Sequence, residues 1–342
     1  MTYKEIIESV VKCPFYKKYY EVLHNNELMD AGDYAETIEK LMQLYDKDTS
    51  LNTLLYDIND ISTVRCAHII FTFLLGLFIY KQSEPFKSAI DKTTERLLTN
   101  AGHPNDFPFL WFLICLFHDL GYSEENKQQN SRIRVDWVNN QKKLAAFDGV
   151  PELYSKIYRQ YFLYRKIEHG KTDHGIYAGL KMYEDLRKIQ KEQKKNHQDE
   201  DVWRDELVPL YNFASWVVLA HNMYFTKDTQ LETCALYKKY SLDDLILETE
   251  GGSIKNYPIK LSEYPVLFLF CLVDLIEPMK RIEKIECCDE IDFEIGEDKL
   301  RISSKLECVC IKKYFKDIAD AVDWFADVNF DDKNKRIEIP IG

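Results

Sequence analysis

Histidine and aspartate residues interrupt the most apolar segments of this chain, where they are least expected. In "LICLFHDLGY" an apolar run ends in His118 and Asp119. Burying such groups is costly unless each has a hydrogen-bond partner or a bound ion. The other interruptions fall in four further segments, at His68, His174, His221 and Asp274.

A metal centre would satisfy all of these residues together. A lone histidine on an apolar helix is usually a core residue with its own hydrogen bond, and a lone aspartate is usually a cap or an ion-pair partner. A set spread over several helices is harder to explain in this way, because every member would need a separate partner. Imidazole and carboxylate ligands suit Mn, Fe, Co, Ni or Zn, and helical bundles hold such sites in their interiors.

Helices are predicted for most of the chain and carry these residues. From about residue 1 to 280, apolar residues recur at spacings of three and four. The clearest helical segments are "YAETIEKLMQLY", "VRCAHIIFTFLLGLFIY", "FPFLWFLICLFHDL", "HGIYAGLKMYEDLRKIQKEQ", "NFASWVVLAHNMY" and "SEYPVLFLFCLVDLIEPMKRIEKI". After about residue 289, "EIDFEIGEDKLRIS" predicts a hairpin, "KRIEIPI" another strand and "IKKYFKDIADAVDWFADV" a helix. We predict a mainly α fold with a small C-terminal α+β appendage.

Composition excludes some classes of protein. The net charge of −12 argues against a generally basic surface for nucleic acid, although a local basic groove stays possible. The nine cysteines include no CxxC pair and are expected to be reduced thiols. The most apolar stretch, "HIIFTFLLGLFIY", is shorter than the about 20 residues of a membrane span. The N-terminus lacks the apolar region of a signal peptide, so we expect a cytoplasmic protein with no membrane partner.

The ordered histidines and aspartates resemble the HD superfamily of metal-dependent phosphohydrolases. Its signature is H…HD…D, with two more histidines between when a second metal is bound. The local sequences "VRCAHIIF", "LFHDLGY", "DHGIYAGL", "AHN" and "VDLIEPMKR" are also similar to that family. The resemblance implies an HD-type core over residues 61–285. Outside it, the residue pattern predicts an N-terminal helical extension (1–60) and the C-terminal α+β appendage (286–342).

The resemblance also implies a helical bundle with divalent metal ions, two of them when both sites are filled. The first ion would be held by His68, His118, Asp119 and Asp274, and the second by His174 and His221, with Asp119 bridging the two. Mn, Fe, Ni, Co, Zn and Mg all stay open as the metal.

The predicted reaction is attack of metal-activated water on a phosphoester or phosphoanhydride. The substrate would be a nucleotide or a similar phosphorylated small molecule. Asp119 is a predicted catalytic residue. Arg65, on the helical face of His68, and Lys171 are candidate phosphate ligands. The alternatives are a surface ion pair for Arg65 and a solvated loop position for Lys171.

Neighbouring residues give further expectations. Glu277 could orient a ligand histidine, since it lies one helical turn after Asp274. His169 competes with His174 for the third histidine position, and we prefer His174 because a helical pattern follows it. Pro278 is expected to end or kink its helix, which leaves the direction of Arg281 open.

Three other functions fit the same residue set. A single-strand nuclease would need a basic, aromatic-lined channel. A diiron oxygenase would use the metals to activate dioxygen. A non-catalytic HD module would bind a nucleotide without turnover. The sequence leaves open the substrate, the choice between ester and anhydride, and the oligomeric state.

Overall fold

The structure of this chain, a computed structural model, describes most residues from 63 to the C-terminus. The described residues are 63–98, 107–122, 136–139, 141, 144, 149–196, 205–282, 285–288, 290–326, 328–331 and 335–341. The predicted extension 1–60, with its helix "YAETIEKLMQLY", lies outside this part.

Most of the described chain is helical, which confirms the predicted mainly α class. The helices of the body are α1 (Thr63–Gln82), α2 (Glu84–Leu98), α3 (Phe107–Phe117), α4 (Glu152–His169), α5 (His174–Asn196), α6 (Val208–Ala220), α7 (Leu231–Lys239) and α8 (Pro265–Ile276). Short 3₁₀ turns lie at Asp205–Leu207, Asp243–Leu245 and Pro278–Lys280.

Helices α3, α6 and α8 form the centre of the body because they are apolar on every side. All side chains of α8 are buried, as are those from Leu210 to Ala220 in α6 and every described side chain of α3. A helix that is apolar all round belongs in a core. Trp111 of α3 donates its indole N–H to the Phe73 carbonyl of α1 at 3.0 Å, which fixes these two helices together.

The ends of the central helices hold the polar residues inside the body. Helix α3 ends directly before the His118-Asp119 pair, and α6 ends directly before His221. Helix α8 ends at the predicted proline: Glu277 has φ −63° and ψ 121°, outside the helical region. The residue before a proline is disfavoured in the helical region, so Pro278 ends this helix as expected.

The C-terminal strands form one antiparallel sheet in the order β5-β6-β8-β7. Its strands are β5 (Ile291–Ile295), β6 (Lys299–Ser304), β7 (Asn329–Asp331) and β8 (Arg336–Pro340), preceded by the short α9 (Ile285–Cys288) and interrupted by α10 (Val309–Val322). The predicted hairpin and the strand at "KRIEIPI" are confirmed. The predicted helix is also present, but it ends at Val322, before the "DWFADV" residues that the prediction included. Strand β7 was not predicted, because three mostly polar residues are too few to show the alternation of apolar and polar residues that indicates a strand.

Helix α10 joins the sheet to the helical body. Its hydroxyl-bearing Tyr314 donates to the Ile276 carbonyl at the end of α8, at 2.6 Å. The ring of Phe325 meets Phe268 of α8 edge-on at 5.4 Å. The appendage therefore packs against the helix that carries Asp274.

Two small strand pairs depart from the predicted all-helical body. Strands β1 (Thr226–Lys227) and β2 (Ile246–Leu247) pair in parallel, and β3 (Thr249–Glu250) pairs antiparallel with β4 (Ser253–Ile254). Strands of two residues are too short to show an alternating pattern. None of the described helices combines the length and apolar character that crossing a membrane requires.

Candidate metal centre

Three buried side chains from separate segments converge within reach of one ion. The Nε2 atom of His68 lies 3.0 Å from Oδ1 of Asp274, and Nε2 of His118 lies 3.7 Å from the same oxygen. All three ligand atoms lie within 4.8 Å of one another, and no member of the cluster is more than 3% exposed. Two imidazoles and a carboxylate arranged in this way could hold a divalent metal ion.

Backbone carbonyls near helix ends orient two of the histidines. The Nδ1 atom of His118 lies 2.7 Å from the Cys115 carbonyl, and Nδ1 of His221 lies 2.6 Å from the Val218 carbonyl. The last carbonyls of a helix lack intrahelical partners, so each ring can donate its Nδ1 proton there and turn the Nε2 lone pair inward. Among the described residues, Nε2 of His118 has no hydrogen-bond partner, which suits a metal ligand.

Glu277 orients the histidine of α1. Its Oε2 atom lies 2.7 Å from Nδ1 of His68, and the same oxygen accepts the backbone N–H of Lys280 at 3.0 Å. The predicted contact between Glu277 and a histidine of the set is confirmed. One buried carboxylate thus fixes both the imidazole and the turn that follows Pro278.

Lys280 was not predicted, yet its ammonium lies closest to the Asp274 carboxylate. The Nζ atom donates to both carboxylate oxygens of Asp274 at 2.7 Å. The side chain is 25% exposed, so it lies between the buried cluster and solvent. The sequence signal was a lysine shortly after Asp274, but the direction of a turn that follows proline does not appear in the helical period.

His174 and His221 form a second pair beside the first cluster. Their ring centroids are 5.4 Å apart, and the ring of His221 lies 5.7 Å from that of His118. Asp119 is buried beside them, with Oδ1 at 3.3 Å from Nε2 of His118. Tyr122 stacks on His174 with a centroid separation of 3.9 Å. All the predicted metal-binding residues therefore lie in one buried region, while their roles as ligands stay predictions.

Asp173 and Asn222 hold the second pair in place, and sequence reasoning missed both. Oδ1 of Asp173 accepts the Ile176 N–H at 2.9 Å and so caps α5. Oδ2 accepts the Asn222 amide at 2.7 Å, and that amide nitrogen lies 3.4 Å from Nδ1 of His174. The cap was detectable as an aspartate at the start of the helical pattern, but its link to α6 depends on tertiary packing.

Gly121 allows the end of α3 to approach the start of α5. A Cβ atom at this position would lie 2.2 Å from the His174 carbonyl oxygen. We expect Gly121→Ala to lower the free energy of unfolding by roughly 1–3 kcal/mol and to weaken metal binding at the His174 pair more than at His68. Urea unfolding and metal content would measure both effects. Gly296→Ala, where the nearest atom lies 3.3 Å away, serves as the control, and equal effects of the two variants would contradict the expectation.

Burial keeps three of the four histidines uncharged, which allows their rings to bind a metal cation. It lowers the pKa of His118, and it lowers that of His221 to about 4. Burial and the neighbouring His221 lower the pKa of His174 well below its usual value. At neutral pH these rings are uncharged, so each offers a lone pair.

His68 and the carboxylates are charged in the metal-free site. Burial lowers the pKa of His68, but hydrogen bonds with Asp274 and Glu277 outweigh it and raise the pKa to about 9. Burial raises the pKa of Asp119, whereas its neighbours His118, His68 and Lys280 bring it down to about 2. The pKa of Asp274 lies well below its usual value because Lys280 and His68 offset its burial. Two anions and two cations therefore face each other where a metal ion would bind.

The raised pKa of His68 predicts a pH dependence of stability for the metal-free protein. A group whose pKa rises on folding, here from 6.5 to about 9, contributes its full stability below pH 6.5 and loses that contribution as pH rises through about 9. We expect the free energy of unfolding in chelator to fall by roughly 3 kcal/mol between these pH values on account of this group. Urea unfolding at several pH values would measure the fall, and His68→Gln should flatten it. Identical slopes for the two proteins would contradict the expectation.

The two predicted phosphate ligands are placed differently by the fold. Arg65 lies in the first turn of α1, and its side chain is outside the described part of the structure. Lys171 lies in the loop between α4 and α5 and is exposed. Their roles in binding phosphate stay predictions.

Contacts place the remaining candidate residues near the site. His169 is exposed at the end of α4 and bonds to the Tyr164 hydroxyl at 2.9 Å, whereas His174 joins the buried group. Arg281 donates from Nε to the Leu275 carbonyl at 2.9 Å, so it closes the end of α8 instead of pointing at the cluster.

Comparisons with protein-family models, with curated proteins and with solved structures found no match for this chain.

Proposed function

We propose that this chain is a metal-dependent phosphohydrolase of the HD type. It would cleave a phosphoester or phosphoanhydride in a nucleotide or a similar phosphorylated small molecule. The observation that carries the proposal is the convergence of His68, His118 and Asp274, with both Nε2 atoms near one carboxylate. Their order along the chain and their helical setting support an HD-type bundle over residues 61–285.

The chemistry of the donors fits a divalent metal ion. Nε2 of His118 is buried without a hydrogen-bond partner among the described residues, and Nε2 of His68 faces Asp274 while its Nδ1 is held by Glu277. A metal ligand histidine characteristically has its second nitrogen bonded to a carboxylate or a carbonyl. His68 and His118 show one example of each.

A second ion would be held by the His174 and His221 pair. Asp119 would be shared between the two ions, since its Oδ1 atom lies 3.3 Å from Nε2 of His118 and it is buried in the same region as His174. Paired metals in hydrolases are commonly about 3.5–4 Å apart. The succession of neighbouring rings from His68 through His118 and His221 to His174 supports a site of that extent.

Bound metals would activate water and stabilise the charge on the attacking and leaving oxygens. The chain's own residues would orient the reactants. Asp119 would accept a hydrogen bond from the attacking water and fix its position. The Lys280 ammonium would meet a phosphoryl oxygen, because it contacts the buried Asp274 carboxylate and is partly exposed to solvent. Tyr122, partly exposed beside His174, would line the same entrance.

The test combines elemental analysis with phosphate release. Wild-type protein would be incubated with Mn²⁺ and a panel of nucleotides, cyclic nucleotides and dinucleoside polyphosphates. We expect close to two metal ions per chain and phosphate release from some members. Asp119→Ala should lose both while keeping its helical circular dichroism, and Asp320→Ala, an exposed aspartate of α10, should lose neither. Full metal content in the Asp119 variant would reject the proposed bridge.

Three results would replace the proposed reaction with another function. Cleavage of a labelled single strand without release from small molecules would indicate a nuclease. Two irons with oxygen consumption and no hydrolysis would indicate an oxygenase. Tight nucleotide binding without turnover would indicate a binding module.

A further inference from the structure

Three cysteine side chains from two different elements meet where the C-terminal appendage joins the helical body. Cys287 belongs to α9, Cys308 is the N-cap of α10, and Cys310 lies in the first turn of α10. The Sγ atom of Cys287 lies 4.0 Å from that of Cys308 and 3.2 Å from that of Cys310. The Sγ atoms of Cys308 and Cys310 are 2.7 Å apart. All three sulfurs thus lie within 4.8 Å of one another.

The sulfurs lie close enough together to share one metal ion. A zinc ion binds thiolate at about 2.3 Å, and tetrahedral geometry then places two sulfurs of one site about 3.8 Å apart. Two of the observed separations, 2.7 and 3.2 Å, are shorter than this value, and the third, 4.0 Å, is slightly longer. A small increase in the distance between the closest pair would therefore admit an ion. Three thiolate ligands do not suit Mg²⁺, Ca²⁺ or Mn²⁺, which prefer oxygen ligands, and they select thiophilic ions.

The start of α10 also favours a thiolate at Cys308. Cys308 and Cys310 lie at the N-terminus of the 14-residue helix α10, where the helix dipole and the first backbone N–H groups stabilise negative charge. Cys287 is buried, whereas the other two are partly exposed. An ion could therefore enter from solvent and remain held against the buried sulfur.

A disulfide explains the arrangement less well than a metal ion. A disulfide joins only two sulfurs, at about 2.05 Å. It would therefore not account for the position of the third thiol. One ion engages all three. Within the described residues, the cluster gains no fourth histidine, cysteine or carboxylate ligand, which leaves a coordination position for water.

We propose that Cys287, Cys308 and Cys310 bind one Zn²⁺ ion through their thiolates. The ion would link α9 to the start of α10 and so tie the chain that follows Lys280 to the helix that packs against α8. Its role would be structural, because the cluster is separate from the histidine centre. The inference stands whether or not the proposed function is correct.

The direct test replaces zinc by cobalt in the full-length, reduced protein. Co²⁺ bound to thiolates gives a near-ultraviolet sulfur-to-metal charge-transfer absorption, which a site of histidine and aspartate does not give. We expect this absorption in wild-type protein, its loss on addition of Zn²⁺, and its absence from a Cys287→Ser/Cys310→Ser double variant. Cys234→Ser, a buried cysteine whose thiol contacts the Lys227 carbonyl, should retain it.

Metal content separates this site from the histidine centre. The double cysteine variant should bind one zinc fewer per chain, while Asp274→Ala should keep the cobalt charge-transfer absorption. Chelation should lower the unfolding temperature of wild-type protein and of Cys234→Ser by a larger amount than that of the double variant. No charge-transfer absorption in reduced wild-type protein would overturn the proposal, even if the double variant failed to fold. Copper in place of zinc, or a disulfide within the cluster of the purified protein, would also overturn it.

Discussion

Asp274→Ala is expected to abolish metal binding at the His68 and His118 cluster and to lower phosphate release by roughly a thousandfold, or about 4 kcal/mol of transition-state stabilisation. Asp274 supplies the carboxylate of the three-residue cluster. Its Oδ1 atom lies near both imidazoles and also accepts from Lys280. Without it, His68 and the Lys280 ammonium would leave uncompensated positive charge beside His118, and a metal cation would be repelled.

The loss of Asp274 also leaves buried positive charge, so stability needs its own measurement. His68 and Lys280 both depend on this carboxylate, and breaking a buried pair on one side is strongly destabilising. Asp274→Asn keeps the shape of the side chain and separates the loss of charge from the loss of packing. Metal content, phosphate release and urea unfolding would be measured for both variants and for Asp320→Ala. Unchanged metal content in the folded asparagine variant would show that Asp274 is not a ligand.

The apolar helices and the residues that interrupt them were predictable because both are local features. The polar positions stand out in "LICLFHDLGY" and "LFCLVDLIEP" because the apolar residues around them are expected to be buried in a core. The fold then places His118 and Asp274 within 3.7 Å of each other. Helix ends were also predictable from local sequence. Pro278 ends α8, and Glu277, the residue before it, contacts His68.

Contacts that depend on the relative placement of elements were not predictable. Asn222 reaches Asp173 across 49 positions of the chain, and nothing in either helical pattern fixes that pairing. The cysteine cluster shows the same limit. The absence of CxxC spacing argued against a site, but that argument concerns ligands from one turn, whereas Cys287 and Cys310 come from separate elements.

Lys280→Met is expected to change metal affinity and catalysis in opposite directions. The ammonium donates to both oxygens of Asp274, and a metal bound to this carboxylate would have to share or displace it. Removing this competing charge should tighten metal binding by about tenfold, or about 1.4 kcal/mol. If the same ammonium meets the phosphoryl group, kcat/KM should fall by about 10–100-fold, in the range for loss of one charge-stabilising contact.

The opposite signs distinguish a lysine that acts on substrate from one that only supports the fold. Lys316→Met, at an exposed position of α10, should change neither quantity, and Lys280→Arg should keep part of the activity because it keeps the positive charge. Metal titration and phosphate release at saturating metal would be measured for each variant. A fall in both affinity and activity would mean that Lys280 holds the turn after Pro278 in place, and its contact with substrate would then be rejected. Tighter metal binding with unchanged kcat/KM would leave Lys280 as a counter-ion of the metal-free site, whose charge is replaced when the metal binds.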